Sequence, residues 1–370
     1  MSKQSKKRSS EYGKILESRN SIYGKGTKPI IGVDIGSSYI KLVKMKKNNK
    51  IEKIAIEHIP EGLVVQGRIE AKEPLADLLK TIIKKYKIKG KDCAVCISGN
   101  ENIVRELTIP EMDEAQIMEN INHEIVSFLP LKMEDYSIDY KVMEYIKGEN
   151  DALGKLRVLV AAIPNRLARA YVDTFKLAKL KVKYIDVIPN IDTKLARMIM
   201  YSSGRNESQD IAIMDFGAQT IDVSVLNQGN YCLHKAILNG GDYLTSIIAE
   251  KSGMEFEEAE KYKCFTNFFS ANNDDPIVQG VHNYFDHLIK DIIRILEFYR
   301  NRNQHKGIDY IYIMGGGSFL KGLSTYLEKS LDVKVYPLSE ALEMFRGGRN
   351  QTEYLADAFN AIGATMREEG

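Results

Sequence analysis

This 370-residue sequence has no long apolar run, only four cysteines and no strong excess of one charge. No stretch approaches the roughly 18 to 20 consecutive apolar residues that cross a bilayer. The polar residues that follow Met1 do not contain the apolar core of a secretory signal. Four scattered cysteines are too few for a disulfide framework. The sequence therefore predicts a protein of the reducing cytoplasm.

The charge is small in total but unevenly distributed. Up to Pro29 there are eight basic and two acidic residues, so this segment carries +6 while the remainder carries −4. The segment is also rich in serine and glycine, and we expect residues 1–29 to form a disordered basic tail. Two interpretations stay open for the tail: a solvated extension, or attraction to an anionic membrane surface worth on the order of 1 kcal/mol per basic residue. The total charge of +2 indicates no nucleic-acid partner.

Two similar stretches lie about half a chain apart, and each reads as strand, acid, glycine turn and strand. They are IIGVDIGSSYIKLVKM and DIAIMDFGAQTIDVSV, which align Asp34 with Asp215 and Gly36 with Gly217. Repetition of a whole supersecondary unit indicates two similar lobes. We therefore expect a cleft between two lobes, with Asp34 and Asp215 facing each other across it.

Strand-like and helix-like patterns alternate along the rest of the chain, which is typical of an α/β fold. Asp113 and Asn165 are the expected N-caps of two of the helices. A third glycine turn, MGGGSFLKG, joins a buried strand to a helix, a geometry that suits the approach of a ligand. Neither the dinucleotide G-x-G-x-x-G motif nor a Walker-type phosphate loop is present. Cys93 and Cys96 form a lone C-x-x-C on a strand, and we expect buried structural thiols there.

The three glycine turns have a common explanation in phosphate binding. Backbone approaches a phosphate closely only where side chains are small, and the exposed N–H groups of such turns attract anions. Two facing carboxylates would repel a free polyphosphate unless Mg²⁺ and its water lay between them. We therefore predict a magnesium–nucleotide site in which Asp34 and Asp215 are the metal-binding carboxylates. Lys41 leaves the first turn and is placed to reach the phosphates.

These segments resemble the actin-like ATPase superfamily, which has a ribonuclease H-like α/β fold of two lobes around a nucleotide cleft. IGVDIGSSYIK is similar to its first phosphate loop, IAIMDFGAQTIDVSV to its second, and IYIMGGGSFLKGL to its adenosine loop. The resemblance implies binding of ATP with Mg²⁺. The cofactor-binding residues that it implies are Gly36, Ser37, Ser38, Lys41, Gly217, Ala218, Gln219, Thr220, Gly240, Gly241, Glu260, Lys263, Gly315, Gly316, Gly317 and Ser318.

Glu260 and Lys263 stand where acidic and basic residues of that superfamily contact the nucleoside, although an ordinary surface ion pair is the alternative interpretation. Asp215 and Gln219 are the candidate catalytic residues. ATPases of the superfamily often carry a carboxylate before the proline of the connecting segment, and this chain has Ile188 there. Because an attacking water needs such a group to orient it, we expect ATP binding with weak or absent hydrolysis.

Further segments, among them KLKVKYIDVIP and YLADAFNAIGATMR, resemble the PilM family of type IV pilus assembly proteins from about Ile30 to the end of the chain. This resemblance implies a cytoplasmic adaptor of a pilus or related secretion assembly, held at the inner face of the membrane by its partners. The implied partner is the N-terminal cytoplasmic peptide of a PilN-like membrane protein, docked between the first lobe and an inserted subdomain. The predicted division is a tail at 1–29, a first lobe at 30–57, 152–190 and 337–370, an inserted small subdomain at 58–151, and a second lobe at 191–336 whose own small subdomain is 242–306.

Two other functions stay open. An actin-like filament or cell-division protein of the FtsA type would share the fold, but the final residues GATMREEG offer no amphipathic membrane helix. A sugar or acid kinase would need a base beside the acceptor hydroxyl, and no aspartate stands out for that role. Homo-oligomerisation is compatible with each interpretation.

Overall fold

A computed structural model describes residues 30–46, 50–128, 132–148, 153–203, 209–270, 274–341 and 357–366. The predicted basic tail at 1–29 lies outside the described residues. Within the described ranges, no helix has both the length and the apolar character needed to cross a bilayer.

Strands alternate with helices along the chain, as the sequence pattern predicts. The strands are β1 (Ile31–Ile35), β2 (Tyr39–Met45), β3 (Ile51–His58), β4 (Val64–Val65), β5 (Arg68–Ile69), β6 (Asp92–Ile97), β7 (Ile103–Pro110), β8 (Tyr136–Ile146), β9 (Lys155–Pro164), β10 (Lys181–Val187), β11 (Asp210–Phe216), β12 (Thr220–Asn227), β13 (Asn230–Leu238), β14 (Tyr310–Met314) and β15 (Lys334–Pro337).

The helices occur between these strands and after the last one. They are α1 (Lys72–Lys85), α2 (Glu114–Ile125), α3 (Asn165–Leu177), α4 (Ile188–Ser203), α5 (Gly241–Ser252), α6 (Phe256–Phe265), α7 (Pro276–Arg302), α8 (Leu323–Leu331), α9 (Leu338–Ala341) and α10 (Phe359–Thr365).

Two five-stranded sheets have the same plan, which confirms the two predicted lobes. The first sheet has the order β3-β2-β1-β6-β10 and the second the order β13-β12-β11-β14-β15. In each sheet three strands form an antiparallel meander, and two further strands add in parallel. Parallel strands need crossover connections, and the helices supply them.

The sheets are stacked with helices on both of their faces. Helices α1 and α3 cover the outer face of the first sheet, and α5, α7 and α8 cover the outer face of the second. Helices α4 and α10 lie between the sheets and contribute to one core with residues of both. Gly32 allows α10 to approach β1, because a Cβ atom at this position would lie 1.9 Å from the carbonyl oxygen of Ala361.

A third sheet, with the order β7-β9-β8, packs one face on α2 and forms a small core of its own. The strands that belong to this sheet differ from those expected within the predicted boundaries of the inserted subdomain. Strand β6 lies inside the range 58–151 but pairs in parallel with β1 of the first lobe. Strand β9 lies inside the range predicted for the first lobe but pairs with β7 and β8. By strand pairing, the small unit runs from Ile103 to Pro164.

Local expectations for caps and cysteines have mixed outcomes. Asp113 caps α2 as expected, in a capping box with Gln116. Asn165 is instead the first residue of α3, after Pro164 at the cap position, and its Oδ1 accepts a hydrogen bond from Ser137 Oγ at 2.7 Å. The thiols of the C-x-x-C are buried as expected. Burial raises the pKa of Cys93 to about 12, so it carries no reactive thiolate at neutral pH.

Candidate functional site

The two acid–glycine hairpins face each other, and strand alternation explains how. On β11, Ile211 and Ile213 point into the core between the sheets. Asp215 shares their face because side chains on one face of a strand recur every second residue. On β1, Asp34 shares a face with Gly32, which contacts α10 between the sheets. Each acid therefore ends its central strand on the inward side, at the cleft.

Ser37 and Gln219 join the two loops directly. Ser37 Oγ donates a hydrogen bond to Gln219 Oε1 at 2.8 Å, and the backbone N–H of Gln66 donates to the same oxygen at 2.9 Å. The turns themselves are alike: Gly36 N–H donates to the Tyr39 carbonyl at 3.0 Å, and Gly217 N–H donates to the Thr220 carbonyl at the same distance. The structure thus brings the two predicted phosphate loops into one crevice.

Lys41 and Asp34 form the charged centre of the first hairpin. They are cross-strand partners, and Lys41 Nζ lies 3.1 Å from Asp34 Oδ2. Burial opposes the charge of Lys41, but the carboxylates of Asp34 and Asp215 outweigh it and raise the pKa of Lys41. The lysine therefore stays protonated at neutral pH.

Asp215 lies in a different environment. Asn360 Nδ2 donates a hydrogen bond to its Oδ2 at 2.7 Å. Burial raises the pKa of Asp215 to about 7; the Lys41 charge opposes this rise, whereas the Asp222 carboxylate adds to it. Gly315 packs directly on the same side chain, because a Cβ atom there would lie 2.1 Å from Asp215 Oδ1. The Gly315 φ of +82° also favours glycine.

A cavity of about 490 Å³ opens between these loops, within the size range of sites for cofactors and drug-sized ligands. Apolar side chains such as Phe256 and Phe319 line part of it. The predicted site residues in its wall are Asp34, Gly36, Ser37, Ser38, Lys41, Asp215, Gly217, Ala218, Gln219, Thr220, Gly241, Glu260, Lys263, Gly315, Gly316 and Gly317.

Gly240 and Ser318, which the sequence also predicts as cofactor-binding, do not line this cavity. A Cβ atom at Gly240 would lie 2.5 Å from the carbonyl oxygen of Gly217, so its place is the packing of α5 against the second loop. Ser318 Oγ donates a hydrogen bond to the Gly315 carbonyl at 2.7 Å and stabilises the turn after β14. Both residues stabilise the loops through contacts outside the cavity wall.

Glu260 and Lys263 form an ion pair of 2.6 Å on α6. It is more than a surface pair, because Lys263 is buried and its Nζ also donates to Gly241 O at 3.1 Å and to Thr245 Oγ1 at 2.8 Å. These three acceptors use all the donors of an ammonium group. Lys263 therefore fixes α6 against the start of α5 while both charged residues line the cavity.

The connecting segment offers no carboxylate for a water molecule. Ile188 lines the cavity with an apolar side chain. Asp186, two residues earlier, is buried and accepts hydrogen bonds from Lys194 Nζ at 2.6 Å and from Asn190 Nδ2 at 2.8 Å. Its carboxylate is used inside the protein and does not line the cavity.

Several residues in the cavity wall were not predicted from the sequence: Gln66, Gly67, Ser98, Gly99, Asn100, Asp222, Asp357 and Asn360. Asp222 is the cross-strand partner of Asp215 and receives a hydrogen bond from Thr220 Oγ1 at 3.0 Å. Its spacing of seven residues from Asp215, the same as that of Lys41 from Asp34, is a sequence signal that could have identified it. Asp357 and Asn360 carried no such signal, since their stretch reads only as a helix.

A cation at this site would depend on its ligand for most of its coordination. Among the described residues there is no group of three or more His, Cys, Asp or Glu side chains that could hold a metal ion. Asp34 and Asp215 offer carboxylate oxygens beside an open cavity. This donor set fits Mg²⁺, which usually binds through one or two carboxylates together with waters and phosphates.

A protein-family model described as the type IV pilus assembly protein PilM matches residues 32–368. The chain belongs to the PilM family. A solved structure titled "PilM-PilN type IV pilus biogenesis complex" is 21% identical to it with a TM-score of 0.78, over 91% of this chain and 97% of that chain.

This PilM-family protein also matches two other structures, in each case at the level of the fold. The ethanolamine utilization protein EutJ from Carboxydothermus hydrogenoformans is 15% identical, with a TM-score of 0.55 over 95% of this chain and 98% of that one. MreB5 of Spiroplasma citri bound to AMPPNP is 14% identical, with a TM-score of 0.51 over 86% and 94% of the two chains. The predicted actin-like fold of two lobes is confirmed.

Proposed function

We propose that this protein is an ATP-binding adaptor of type IV pilus assembly. Its cleft takes Mg-ATP, and its inserted subdomain, together with the first lobe, takes the N-terminal cytoplasmic peptide of a PilN-like membrane protein. The observation that carries the nucleotide part is the meeting of the two acid–glycine hairpins, with Lys41 between Asp34 and Asp215. Family membership carries the pilus part.

The charge of the cavity wall favours a metal-bearing nucleotide over a free one. Its lysines are Lys41 and Lys263, and the second is already paired with Glu260. Its acids are Asp34, Asp215, Asp222, Asp242, Glu260 and Asp357. A free triphosphate would meet net repulsion, whereas Mg²⁺ would reverse the sign near Asp34 and Asp215. When bound, the cation would neutralise phosphate charge, and the glycine turns would approach the phosphates with their N–H groups.

The side chains that line the cavity also lead us to expect weak or absent hydrolysis. Gln219 Oε1 already accepts two hydrogen bonds from the first lobe, and Ile188 replaces the carboxylate before the proline. Orientation of an attacking water is a main contribution of protein side chains to phosphoryl transfer. We propose that Asp215 and Gln219 contribute to binding more than to turnover.

The PilN-like partner is proposed because the most similar structure reported above is titled as a PilM–PilN complex. Such a partner would hold the protein at the inner face of the membrane. Docking between the first lobe and the β7–β9 sheet is part of this proposal.

Calorimetric titration of the full chain with ATP, in Mg²⁺ and in EDTA, tests the nucleotide site. We expect binding in Mg²⁺, and at least about tenfold weaker binding after Asp34→Asn or Asp215→Asn because each removes a charge that faces the cation. Asp291→Asn, on helix α7 away from the cavity wall, is the matched control. Unchanged affinity in both cleft variants would exclude the site.

Fluorescence anisotropy with a labelled peptide tests the adaptor role. The probe is the N-terminal cytoplasmic segment of the PilN-like protein from the same organism, and a scrambled peptide is the control. We expect saturable binding of the native peptide only. If both peptides bind equally, or neither binds, the adaptor role is refuted while the nucleotide site is unaffected.

A further inference from the structure

A small apolar contact joins the β7–β9 sheet to the second lobe. Met143 on β8, Leu159 on β9 and Tyr231 on β13 are each no more than 6% exposed and form a cluster separate from the larger cores. Val104 on β7 packs against them. We refer to Met143, Leu159 and Tyr231 as the bridging cluster. The sheet is inserted in the first lobe, so this cluster connects two parts of the chain that no strand pairing joins.

Met143 lies at a β-bulge and faces this contact. The register between β8 and β9 shifts after Val142, and Met143 is the extra residue. Val142 packs in the core beneath α2, and normal alternation would send the next side chain to the opposite face. Leu159 is paired with Lys141 and lies on that opposite face. Met143 therefore shares the face of Leu159, and the bulge leaves it without a cross-strand partner on β9.

A polar contact lies beside the bridging cluster. Lys141 Nζ donates to Asn190 Oδ1 at 3.2 Å. Asn190 is in the first turn of α4, the helix between the two sheets, and its Nδ2 donates to the buried Asp186. Asp186 in turn pairs with Lys194, whose Nζ also donates to the Met366 carbonyl at 3.2 Å. The β7–β9 sheet therefore contacts both the second lobe and the segment that connects the lobes.

The β12–β13 hairpin links this contact to the cleft. Thr220 and Asp222 stand at its cleft end, and Tyr231 pairs with Leu226 near its other end. The six residue steps from Thr220 to Leu226 span about 20 Å at 3.3 Å per residue. Because a paired hairpin packed on a sheet moves as a rigid body, rotation of the second lobe would move Tyr231 against the β7–β9 sheet.

We propose that the bridging cluster, with the contact between Lys141 and Asn190, transmits closure of the cleft to the β7–β9 sheet. This inference rests on the proposed binding of Mg-ATP and names the contact through which it would act on the partner-binding subdomain. Packed interfaces shift between discrete arrangements, so lobe rotation either shears the cluster or moves the sheet with it. Coupling between two sites requires such a shared element.

Amide hydrogen exchange of the full chain, with and without Mg-ATP, tests the inference. We expect Mg-ATP to change the exchange rate in β8 and β9 by at least about threefold. Met143→Ala should reduce this change to below about twofold while leaving the dissociation constant of Mg-ATP within about threefold. Val142→Ala is the matched control, since it truncates the neighbouring residue on the α2 side.

Tyr231→Ala removes the same contact from the side of the second lobe. This variant replaces Met143→Ala in the experiment if Met143→Ala does not fold. Mg-ATP binding without any exchange change in β8 and β9 of the unaltered protein would overturn the inference and leave the nucleotide site intact. An equal loss in Met143→Ala and Val142→Ala would also overturn it, because loosening of the subdomain would then be the cause. Absence of Mg-ATP binding would overturn the proposed function together with this inference.

Discussion

The β1–β2 and β11–β12 hairpins have the same type of turn but differ in the charge of the residue paired with the acid. Asp34 is paired with Lys41, whereas Asp215 is paired with Asp222. The first acid is neutralised inside its own hairpin. The second is half-buried beside another acid, and desolvation raises its pKa to about 7. The difference lies at one equivalent position, which is Lys41 in the first hairpin and Asp222 in the second. The first hairpin therefore supplies its own positive charge, whereas the two acids of the second favour binding of an external cation.

Replacing Lys41 should have the largest effect on Mg-ATP affinity. Lys41→Met leaves Asp34 and Asp215 without their common positive neighbour and removes a charge-assisted contact to phosphate. We expect Mg-ATP affinity to fall about 100-fold by calorimetry. Lys290→Met, at an exposed position on α7, should leave it unchanged. A loss below about threefold would show that the first hairpin does not supply the cation for the phosphates.

Neutralising each acid in turn should change stability in opposite directions. At pH 8 without nucleotide, Asp34→Asn breaks a buried ion pair and should lower the free energy of unfolding by about 1 to 3 kcal/mol. Asp215→Asn removes a buried charge and should raise it by a similar amount, since each pKa unit corresponds to about 1.4 kcal/mol. Urea unfolding followed by circular dichroism measures both changes.

The gain from Asp215→Asn should depend on pH. The folded-state pKa of Asp215 is raised, so its contribution to stability is complete below the unfolded pKa of about 4 and is lost as the pH rises through about 7. The gain of the variant should therefore vanish near pH 4 and reach its full size above pH 8. Equal gains at both pH values would contradict the buried-charge explanation.

Proton release from Asp215 of the second hairpin should accompany nucleotide binding. Near pH 7 Asp215 is about half protonated, and a bound cation would lower its pKa. We expect release of about half a proton per bound Mg-ATP at pH 7, falling toward zero at pH 9. Calorimetry in buffers of different ionisation enthalpy measures it, with Asp215→Asn as the control that should release less.

We expect the smallest effect from removal of the hydroxyl groups of the two loops, and it should differ between Ser37 and Thr220. Ser37 Oγ bonds across the cleft to Gln219, whereas Thr220 Oγ1 bonds within its own lobe to Asp222. Ser37→Ala should weaken contact between the lobes by about 0.5 to 1.5 kcal/mol and speed amide exchange at Gln66. Thr220→Ala should leave exchange at Gln66 unaltered. The reverse pattern would refute the interlobe bond.

Local pattern predicted the hairpins, the acids and the repeat, because these depend on alternation and turn residues within a few positions. The sequence did not predict that β6 pairs with β1, since parallel pairing joins segments about 60 residues apart with no local signature. The predicted subdomain range included β6 for that reason, and it left out β9. Asp357 and Asn360 reach the site only through the packing of α10, which local pattern does not encode. Asp222 was within reach of the repeat alignment, as the counterpart of Lys41.

The shared core between the sheets affects how this chain folds. Strand β1 packs on helix α10, so the first strand described needs contacts from residues more than 300 positions later. Neither lobe completes its inner face without that helix. Contacts of such sequence separation form slowly, and a chain emerging from the ribosome would hold both sheets with an open side. Packing of the core between the sheets would be complete only once synthesis has passed Thr365, so the newborn protein would expose apolar surface that chaperones bind.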